Sequence, residues 1–307
     1  MSFSGEVKAE LADVEPKARH CQISELGAML EIAGRPYFDA AAGESGLRIR
    51  TESPDVVRKV FTIADKAFKI GNEFTRKVSD RADGKKDHEA RFKAGPVLGR
   101  IARAFGNKDA LERICCRRAY LRGAYLAGGT ISDPNRYYHL EIVCADDYAA
   151  GRVMGVMREF DLNAKQVERK GSQIVYLKEA DQIAEFLRLT GASRMLMEFE
   201  NIRIMREMRG SVNRQVNCET ANLKKTVDAA MKSIEDINYL REKGALAHVS
   251  PALRRAAEAR LANPQASLTE LGELMNPPVG RSGVNHRLRR LMDMAEELRA
   301  KEGQEQP

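Results

Sequence analysis

The chain has 307 residues, of which 43% are hydrophobic and 31% charged, and its formal net charge is +7. This length accommodates about two domains, and the positive charge is compatible with a nucleic-acid partner without requiring one. Tryptophan is absent and only 6% of the residues are aromatic, which disfavours a surface that stacks the bases of a single strand. Duplex DNA is therefore the favoured nucleic-acid partner.

The cysteines and the apolar runs bear on the compartment and on metal binding. The five cysteines are odd in number, and Cys115 and Cys116 are adjacent, which favours neither a disulfide framework nor a paired zinc motif. The histidines are dispersed, and Cys144 is predicted to be a core residue. Neither a secretory signal nor a run of ~20 apolar residues occurs. We expect a cytoplasmic protein with free thiols, no membrane partner, no metal and no cofactor.

The first two thirds of the chain contain one pattern twice. Short apolar helices that end in glycine are predicted at Ile23 to Gly34 and at Ala119 to Gly129, and extended segments follow from Leu47 and from His139. Corresponding residues are separated by 93 to 95 positions, as 26 and 121 or 49 and 142 show. Each copy predicts helix, strand, helix, strand, strand, helix. A further strand in the glycine-rich segment 40–46 is left open.

Two copies of one unit are expected to pack about a pseudo-twofold axis. Small residues on the two apolar helices would let their backbones approach closely; these are Gly27, Ala28, Gly123 and Ala124. The predicted fold class is α+β, a duplicated helix and sheet domain followed by an all-α domain. The predicted boundaries are 1–209 for the first domain, with repeats at about 20–110 and 115–209.

A polar segment at 210–222 is predicted to be the linker, and residues 223–307 a small helical bundle. Its first helix is predicted from Leu223 to Gly244, where glycine would end it. The next is predicted to begin at Ser250, a capping residue followed by proline, and to end at Asn263 before a second proline.

The end of the bundle, 267–299, is predicted to be a helix-turn-helix. Ser267 and Glu270 fit a capping box, and two prolines after Asn276 would end the first helix. In the second helix an apolar stripe recurs at helical spacing: Val284, Leu288, Leu291, Ala295 and Leu298. Acidic residues are absent from Arg281 to Met292, so a phosphate could approach without repulsion. The alternative is a surface helix with solvated arginines.

The predicted DNA contacts divide into two groups. Residues at the start of the second helix are expected to read base edges: Arg281, Ser282, Asn285 and His286. Phosphate contacts are assigned to Arg287, Arg289 and Arg290, although the stem of one arginine could cover the core instead. Ser267 and Thr269 are further phosphate candidates, and their alternative role is helix capping alone.

These segments together carry a family resemblance. LGAMLEIAG (Leu26 to Gly34) and LRGAYLAGG (Leu121 to Gly129) are similar to the LAGLIDADG motif of homing endonucleases. With SFSGEVKAEL, YLRGAYLAGGTISDP, NRQVNCETANLKKT and the ending ASLTELGELMNPP and RSGVNHRLRRL, the chain resembles the WhiA family over nearly its whole length. The resemblance implies a LAGLIDADG-like domain fused to a helix-turn-helix. It also implies a transcriptional regulator with roles in sporulation or in cell division and chromosome segregation.

The same resemblance bears on catalysis. Active LAGLIDADG enzymes have an acidic residue at the eighth motif position, where it holds a divalent metal, and this chain has Ala33 and Gly128 there. Neither can coordinate a metal. Glu31 and Asp133 lie nearby in sequence, but a solvated carboxylate and a turn former are the favoured roles. We therefore expect no cleavage and no enzyme activity.

Three functions remain in competition. The favoured one is a nucleoid-associated regulator that binds promoter duplexes through the helix-turn-helix, while the first domain contacts DNA or a protein. The others are an active endonuclease or RNA maturase and a chromosome-associated protein that acts through partners. A basic surface on the sheets, as opposed to ordinary alternating charges, would involve Arg48, Arg50, Arg76, Lys77, Lys165, Arg169 and Lys170.

Overall fold

The computed structural model describes residues 2–82, 84–106 and 108–304, and the chain divides into two compact units between Glu207 and Met208. In the described part of the chain, none of the helices combines the length and the apolar content needed to cross a bilayer.

The first unit contains one arrangement of helices and strands twice. It begins with α1 (Phe3–Asp13). The first repeat comprises α2 (Arg19–Ala33), β1 (Gly34–Asp39), β2 (Glu44–Thr51), α3 (Pro54–Phe68), β3 (Phe74–Asp80), β4 (Lys86–Lys93) and α4 (Pro96–Phe105). The second comprises α5 (Ile114–Gly128), β5 (Gly129–Ile131), β6 (Leu140–Cys144), α6 (Asp147–Arg158), β7 (Lys165–Arg169), β8 (Ser172–Leu177) and α7 (Ala180–Thr190). The α+β class and the duplication are confirmed.

Both sheets are antiparallel and have the same strand order, β1-β2-β4-β3 and β5-β6-β8-β7. Ile49 pairs with Gly34 in the first sheet, and Ile142 pairs with Gly129 in the second, so the two sequence copies correspond in register. The additional strand, whose existence the sequence did not decide, is present in each repeat as β1 and β5. In the first repeat it precedes the glycine-rich segment and is joined to β2 by residues 40–43.

The helices α2 and α5 pack against each other at the centre of the first unit. A Cβ atom at Gly123 would overlap the carbonyl oxygen of Glu25 and would lie 3.1 Å from the Cβ of Ala28, so glycine is needed for this approach. Gly27 has a different neighbour from the one expected, because the space beside it is filled by the ring of Phe105 from α4. Ala28 and Ala124 are fully buried.

A buried ionic network crosses this helix pair. The guanidinium of Arg122 donates from Nε and Nη2 to Oε2 of Glu25, at 3.0 and 2.6 Å, and Nη1 donates to the carbonyl oxygen of Thr190. Lys59 from α3 lies 3.4 Å from the other Glu25 oxygen, and its Nζ donates to the carbonyl of Val14. These charges are acceptable in a core because each faces an opposite charge.

The helix α8 (Ser193–Glu242) includes residues 210–222, which the sequence analysis assigned to a linker. Residues 210–222 are helical, so the prediction that a separate helix begins at Leu223 after a linker was wrong. Residues 211–229 are exposed along the helix, and the segment contains no proline. Side chains four residues apart bridge it, as Gln215 Nε2 does when it donates to Glu219 Oε1 at 3.0 Å, a spacing that stabilises exposed helices. Polarity alone therefore did not identify a break.

The second unit is helical, as predicted. The helices after α8 are α9 (Pro251–Ala262), α10 (Leu268–Leu274) and α11 (Arg281–Gln304). They share one small core with the end of α8, which is formed by Ile237, Leu240, Val249, Ala256, Ala257, Leu271, Met275, Val284, Leu288, Leu291 and Ala295. Ser250 caps α9 by accepting the N–H of Leu253.

Candidate nucleic-acid interface

The turn between α10 and α11 is held by local hydrogen bonds. Ser267 and Glu270 form the predicted capping box, in which each side chain accepts the backbone N–H of the other residue, at 3.3 and 2.7 Å. Accepting the Ser267 N–H also lowers the pKa of the Glu270 carboxyl. After the turn, the N–H of Val279 donates to the carbonyl of Gly272 at 2.9 Å. A Cβ at Gly272 would overlap the Val279 carbonyl oxygen. The segment after the turn can therefore pack this closely against α10 only because residue 272 is glycine.

The helix α11 presents three faces. The predicted apolar stripe faces the core, with Val284, Leu288, Leu291 and Ala295 buried and Leu298 packed at its edge. Arg281, Asn285 and Arg289, four residues apart, line a groove. Ser282, His286 and Arg290 form a second row, in which all three residues are exposed, and Arg287 is half-buried. The predicted contacts thus fall into two adjacent rows, with Arg287 apart from both.

The groove has a volume of about 560 Å³ and lies between α8, α10 and α11. Ser267 and Thr269 line it together with the three α11 residues of the first row. Two further cations on its wall were not identified from the sequence, Lys225 and Arg260. Lys225 is exposed on α8. Its place in the NLKKT motif was the available indication, but only the fold of the bundle brings it beside α11.

Arg260 is 3% exposed. Its Nη1 donates to the carbonyl oxygens of Ala266 and Pro264, at 2.7 and 3.4 Å, which fixes the segment before Ser267. Among the described residues its Nε has no hydrogen-bond partner. The groove therefore combines a fixed capped helix start with three further cationic side chains, Lys225, Arg281 and Arg289, all of them exposed.

Charge along α11 is favourable to an anion at its start. The first turn has no acidic residue, and the positive end of the helix dipole lies there. In the described part of the chain Arg290 has one ion pair, with its Nη1 4.0 Å from Oε1 of Glu297, and both side chains are exposed. Such a pair contributes little, so Arg290 remains available to a phosphate.

A second cleft lies at the C-terminal ends of α2 and α5. Its volume is about 280 Å³, and its lining includes Ala33, Gly128 and the arginines Arg35, Arg48 and Arg50. Arg35 Nη1 donates to the Gly34 carbonyl at 2.8 Å and to the Ile32 carbonyl at 3.3 Å. The end of the helix pair is therefore lined by cations, which repel a divalent metal.

The two carboxylates near this cleft are engaged elsewhere. Glu31 is not the solvated group that was expected, since the Tyr120 hydroxyl donates to it at 2.9 Å and Arg152 at 3.2 Å. Burial raises the pKa of its carboxyl, although Arg152 and Tyr120 oppose this. Asp133 is an exposed turn residue, as expected. It accepts the backbone N–H of Asn135 at 2.9 Å, which lowers its pKa.

The basic residues of the sheets differ in their ion pairing. Arg48 lies 3.3 Å from Glu89, and Arg50 Nε donates to Asp87 at 2.7 Å. The remaining five are exposed and have no ion pair with a described carboxylate: Arg76, Lys77, Lys165, Arg169 and Lys170. On the sheets, the first repeat thus carries two ion-paired arginines beside two cations that have no ion pair with a described carboxylate, and the three cations of the second repeat have none either.

At the opposite ends of α2 and α5 the fold brings together His20, Cys21, Cys115 and Cys116, whose ligand atoms lie within 4.8 Å of one another. Burial raises the pKa of the Cys21 thiol to about 12 and also raises that of Cys116. The sequence analysis missed this cluster because its two halves are 95 residues apart and neither half has a ligand spacing of its own.

The capped α10, the tight turn and α11 define a protein of the DNA-binding helix-turn-helix class, and the duplicated first unit is a LAGLIDADG-like domain. Comparisons with known proteins agree with both. Residues 117–209 match the WhiA LAGLIDADG-like domain, and residues 212–295 match the WhiA C-terminal HTH domain. The chain belongs to the WhiA family.

Relatives and solved structures extend over almost the whole chain. It is 43% identical to the "Probable cell division protein WhiA" of Heliobacterium modesticaldum, over 96% of both chains. For the protein of the same name from Alkaliphilus oremlandii the identity is 39%, over 97% of this chain and 98% of that one. The full-length DUF199/WhiA structure from Thermotoga maritima matches with a TM-score of 0.60 and 25% identity, over 97% of this chain and 99% of the other. The N-terminal LAGLIDADG domain of DUF199/WhiA matches 66% of this chain and 96% of its own length, with a TM-score of 0.55 and 22% identity.

Proposed function

We propose that this protein is a nucleoid-associated transcriptional regulator of cell division, chromosome segregation or sporulation genes, which binds promoter duplexes through α10 and α11. The observation that carries the proposal is the pair of residue rows on α11 that project away from its buried stripe. The relatives named above carry the name "Probable cell division protein WhiA", which supports the choice of target genes.

The role of each side chain follows from its position along α11, and each row contributes to both roles. Residues in the first two turns of α11 read base edges: Arg281, Ser282, Asn285 and His286. Asparagine pairs bidentately with adenine and arginine with guanine, each at ~1–3 kcal/mol of discrimination. Arg287, Arg289 and Arg290 contact phosphates, as do Ser267 and Thr269 at the start of α10. Lys225 extends the phosphate surface along the groove wall.

The proposal is tested by capture of sheared genomic DNA with the full-length protein at physiological salt, followed by sequencing. A few enriched promoter fragments that share a motif are expected, whereas even coverage would contradict sequence-specific binding. On the enriched site, Asn285→Ala should remove the preference at one base, while Arg289→Ala should weaken binding to every sequence and reduce the salt slope by about one. Equal losses on specific and scrambled duplexes for both variants would refute this division of roles.

We also infer that the protein does not cleave DNA. Ala33 and Gly128 supply no metal ligand, and the cleft beside them is lined by Arg35, Arg48 and Arg50, which suit a phosphate and repel magnesium. Supercoiled plasmid incubated with the protein and magnesium should stay intact. Nicking that disappears in Glu31→Gln would overturn this inference.

A further inference from the structure

The cluster at the N-terminal ends of α2 and α5 has the composition of a metal site. His20 Nδ1 lies 3.1 Å from Cys116 Sγ, 3.3 Å from Cys21 Sγ and 4.0 Å from Cys115 Sγ. All four ligand atoms lie within 4.8 Å of one another. In a tetrahedral zinc site, with Zn–S near 2.3 Å and Zn–N near 2.0–2.1 Å, neighbouring ligand atoms are about 3.5–3.8 Å apart. The observed spacings bracket these values, so small side-chain rotations would complete the coordination.

We propose that His20, Cys21, Cys115 and Cys116 bind one zinc ion, which links the two repeats of the first unit. Each repeat contributes the second and third residues of its central helix, because α2 begins at Arg19 and α5 at Ile114. The two pairs are separated by the same 95 residues as the helices themselves. The ligand set therefore straddles the pseudo-twofold axis.

The chemistry of the ligands selects the ion. Three thiolates and one imidazole suit zinc, which forms closed tetrahedral sites of this type in structural roles. Four protein ligands leave no open position for water or substrate, so the site is structural and not catalytic. A multi-iron cluster would need its sulfur ligands farther apart.

The surroundings compensate the charge of such a complex. Zinc with three thiolates and a neutral imidazole carries one net negative charge. The N-termini of two helices point their positive dipole ends toward it, and Arg113 Nη1 lies 3.5 Å from His20 Nε2. When Nδ1 coordinates the metal, Nε2 carries the proton, and the guanidinium then acts as a nearby counter-charge and not as a donor.

Burial is consistent with a linking role and with metal entry. Cys21 and Cys116 are buried and pack with Ala119, whereas Cys115 is exposed. Zinc can therefore enter from the side of Cys115. The site lies about 18 Å along α2 from Ala33, at 1.5 Å per residue, so it is separate from the arginine-lined cleft.

The test compares two exposed cysteines in the full-length protein. Cys115→Ser removes a proposed ligand, and Cys218→Ser, on α8, is the matched control. After purification under reducing conditions without chelator, mass spectrometry of the elements should find about one zinc per chain in the wild type and in Cys218→Ser, and a loss to background in Cys115→Ser. Cobalt substitution should give thiolate charge-transfer and tetrahedral d–d absorption bands only in the first two proteins.

A stability measurement distinguishes the loss of a zinc ligand from misfolding of the Cys115→Ser variant. Chelator should lower the melting temperature of the wild type and of Cys218→Ser, and should leave Cys115→Ser unchanged. Two outcomes would overturn the proposal. One is folded wild-type protein that binds neither zinc nor cobalt, including a chain whose cluster cysteines are found joined as a disulfide. The other is equal metal content in Cys115→Ser and Cys218→Ser.

Discussion

The crossing of α2 and α5 at Gly123 gives a quantitative prediction, in which Gly123→Ala is compared with Gly151→Ala. Gly151 is exposed on α6, and apart from its chain neighbours and the nearby backbone of α6 no described atom lies within 4 Å of a Cβ built there. Both variants gain the same helix propensity, ~1 kcal/mol, so the difference between them isolates the packing cost at Gly123. There the new methyl would lie 3.0 Å from the carbonyl carbon of Glu25 and would overlap its oxygen, whereas carbon atoms prefer about 3.5–4.0 Å.

The helices must therefore separate by roughly half an ångström or more, and overpacking of this kind costs ~1–3 kcal/mol. We expect the upper end because the obstacle is backbone, and because separation also strains the Glu25–Arg122 pair. A difference of ~3 kcal/mol corresponds to roughly 6–12 °C in melting temperature for a domain of this size. Near-ultraviolet circular dichroism is a suitable assay, because seven of the eight tyrosines precede residue 208 and tryptophan is absent. If Gly123→Ala melts at or above Gly151→Ala, the reasoning is refuted.

Three further changes test other parts of the structure. Arg122→Ala should destabilise the first unit by ~3–5 kcal/mol, because it leaves the Glu25 carboxylate buried without its main partner; a loss below 1 kcal/mol in thermal unfolding would contradict the buried network. Gly128→Asp should not restore magnesium-dependent nicking and should lower the melting temperature, because its Cβ would overlap the Val143 carbonyl oxygen; gain of nicking would disprove this. Gly272→Ala should weaken DNA binding by displacing the turn before α11, and unchanged affinity in a fluorescence anisotropy titration would show that the turn tolerates the methyl.

Local patterns predicted much of the fold. The capping box at Ser267, the apolar stripe of α11 and the alternating segments of each repeat are encoded within a few residues, so sequence periodicity identified them. The first strand of each repeat was harder to identify. In β1, Pro36 favours a turn when the chain is considered alone, but β1 is an edge strand, where proline is tolerated because one side needs no donor.

The features that sequence reasoning missed depend on distant contacts. Residues 210–222 contain only two large apolar side chains, Val212 and Val216, and both are exposed, so the apolar periodicity was too weak to indicate a helix. Lys225 joins the groove only when α8 packs beside α11. The partners of Glu31 come from α5 and α6, which are far along the chain, and the same is true of the four side chains of the metal cluster. Such groupings follow from how the repeats pack, which no local window of the sequence contains.

The tight fit around Gly128 also bears on how this domain can change over generations. Where an active relative would place a carboxylate, this chain has brought neighbouring backbone so close that even a methyl has no room. A side chain at residue 128 would overlap both the Cγ2 of Ile32 and the carbonyl oxygen of Val143 in β6. More than one position must therefore change before a carboxylate fits here, because part of the obstacle is the backbone of a neighbouring strand.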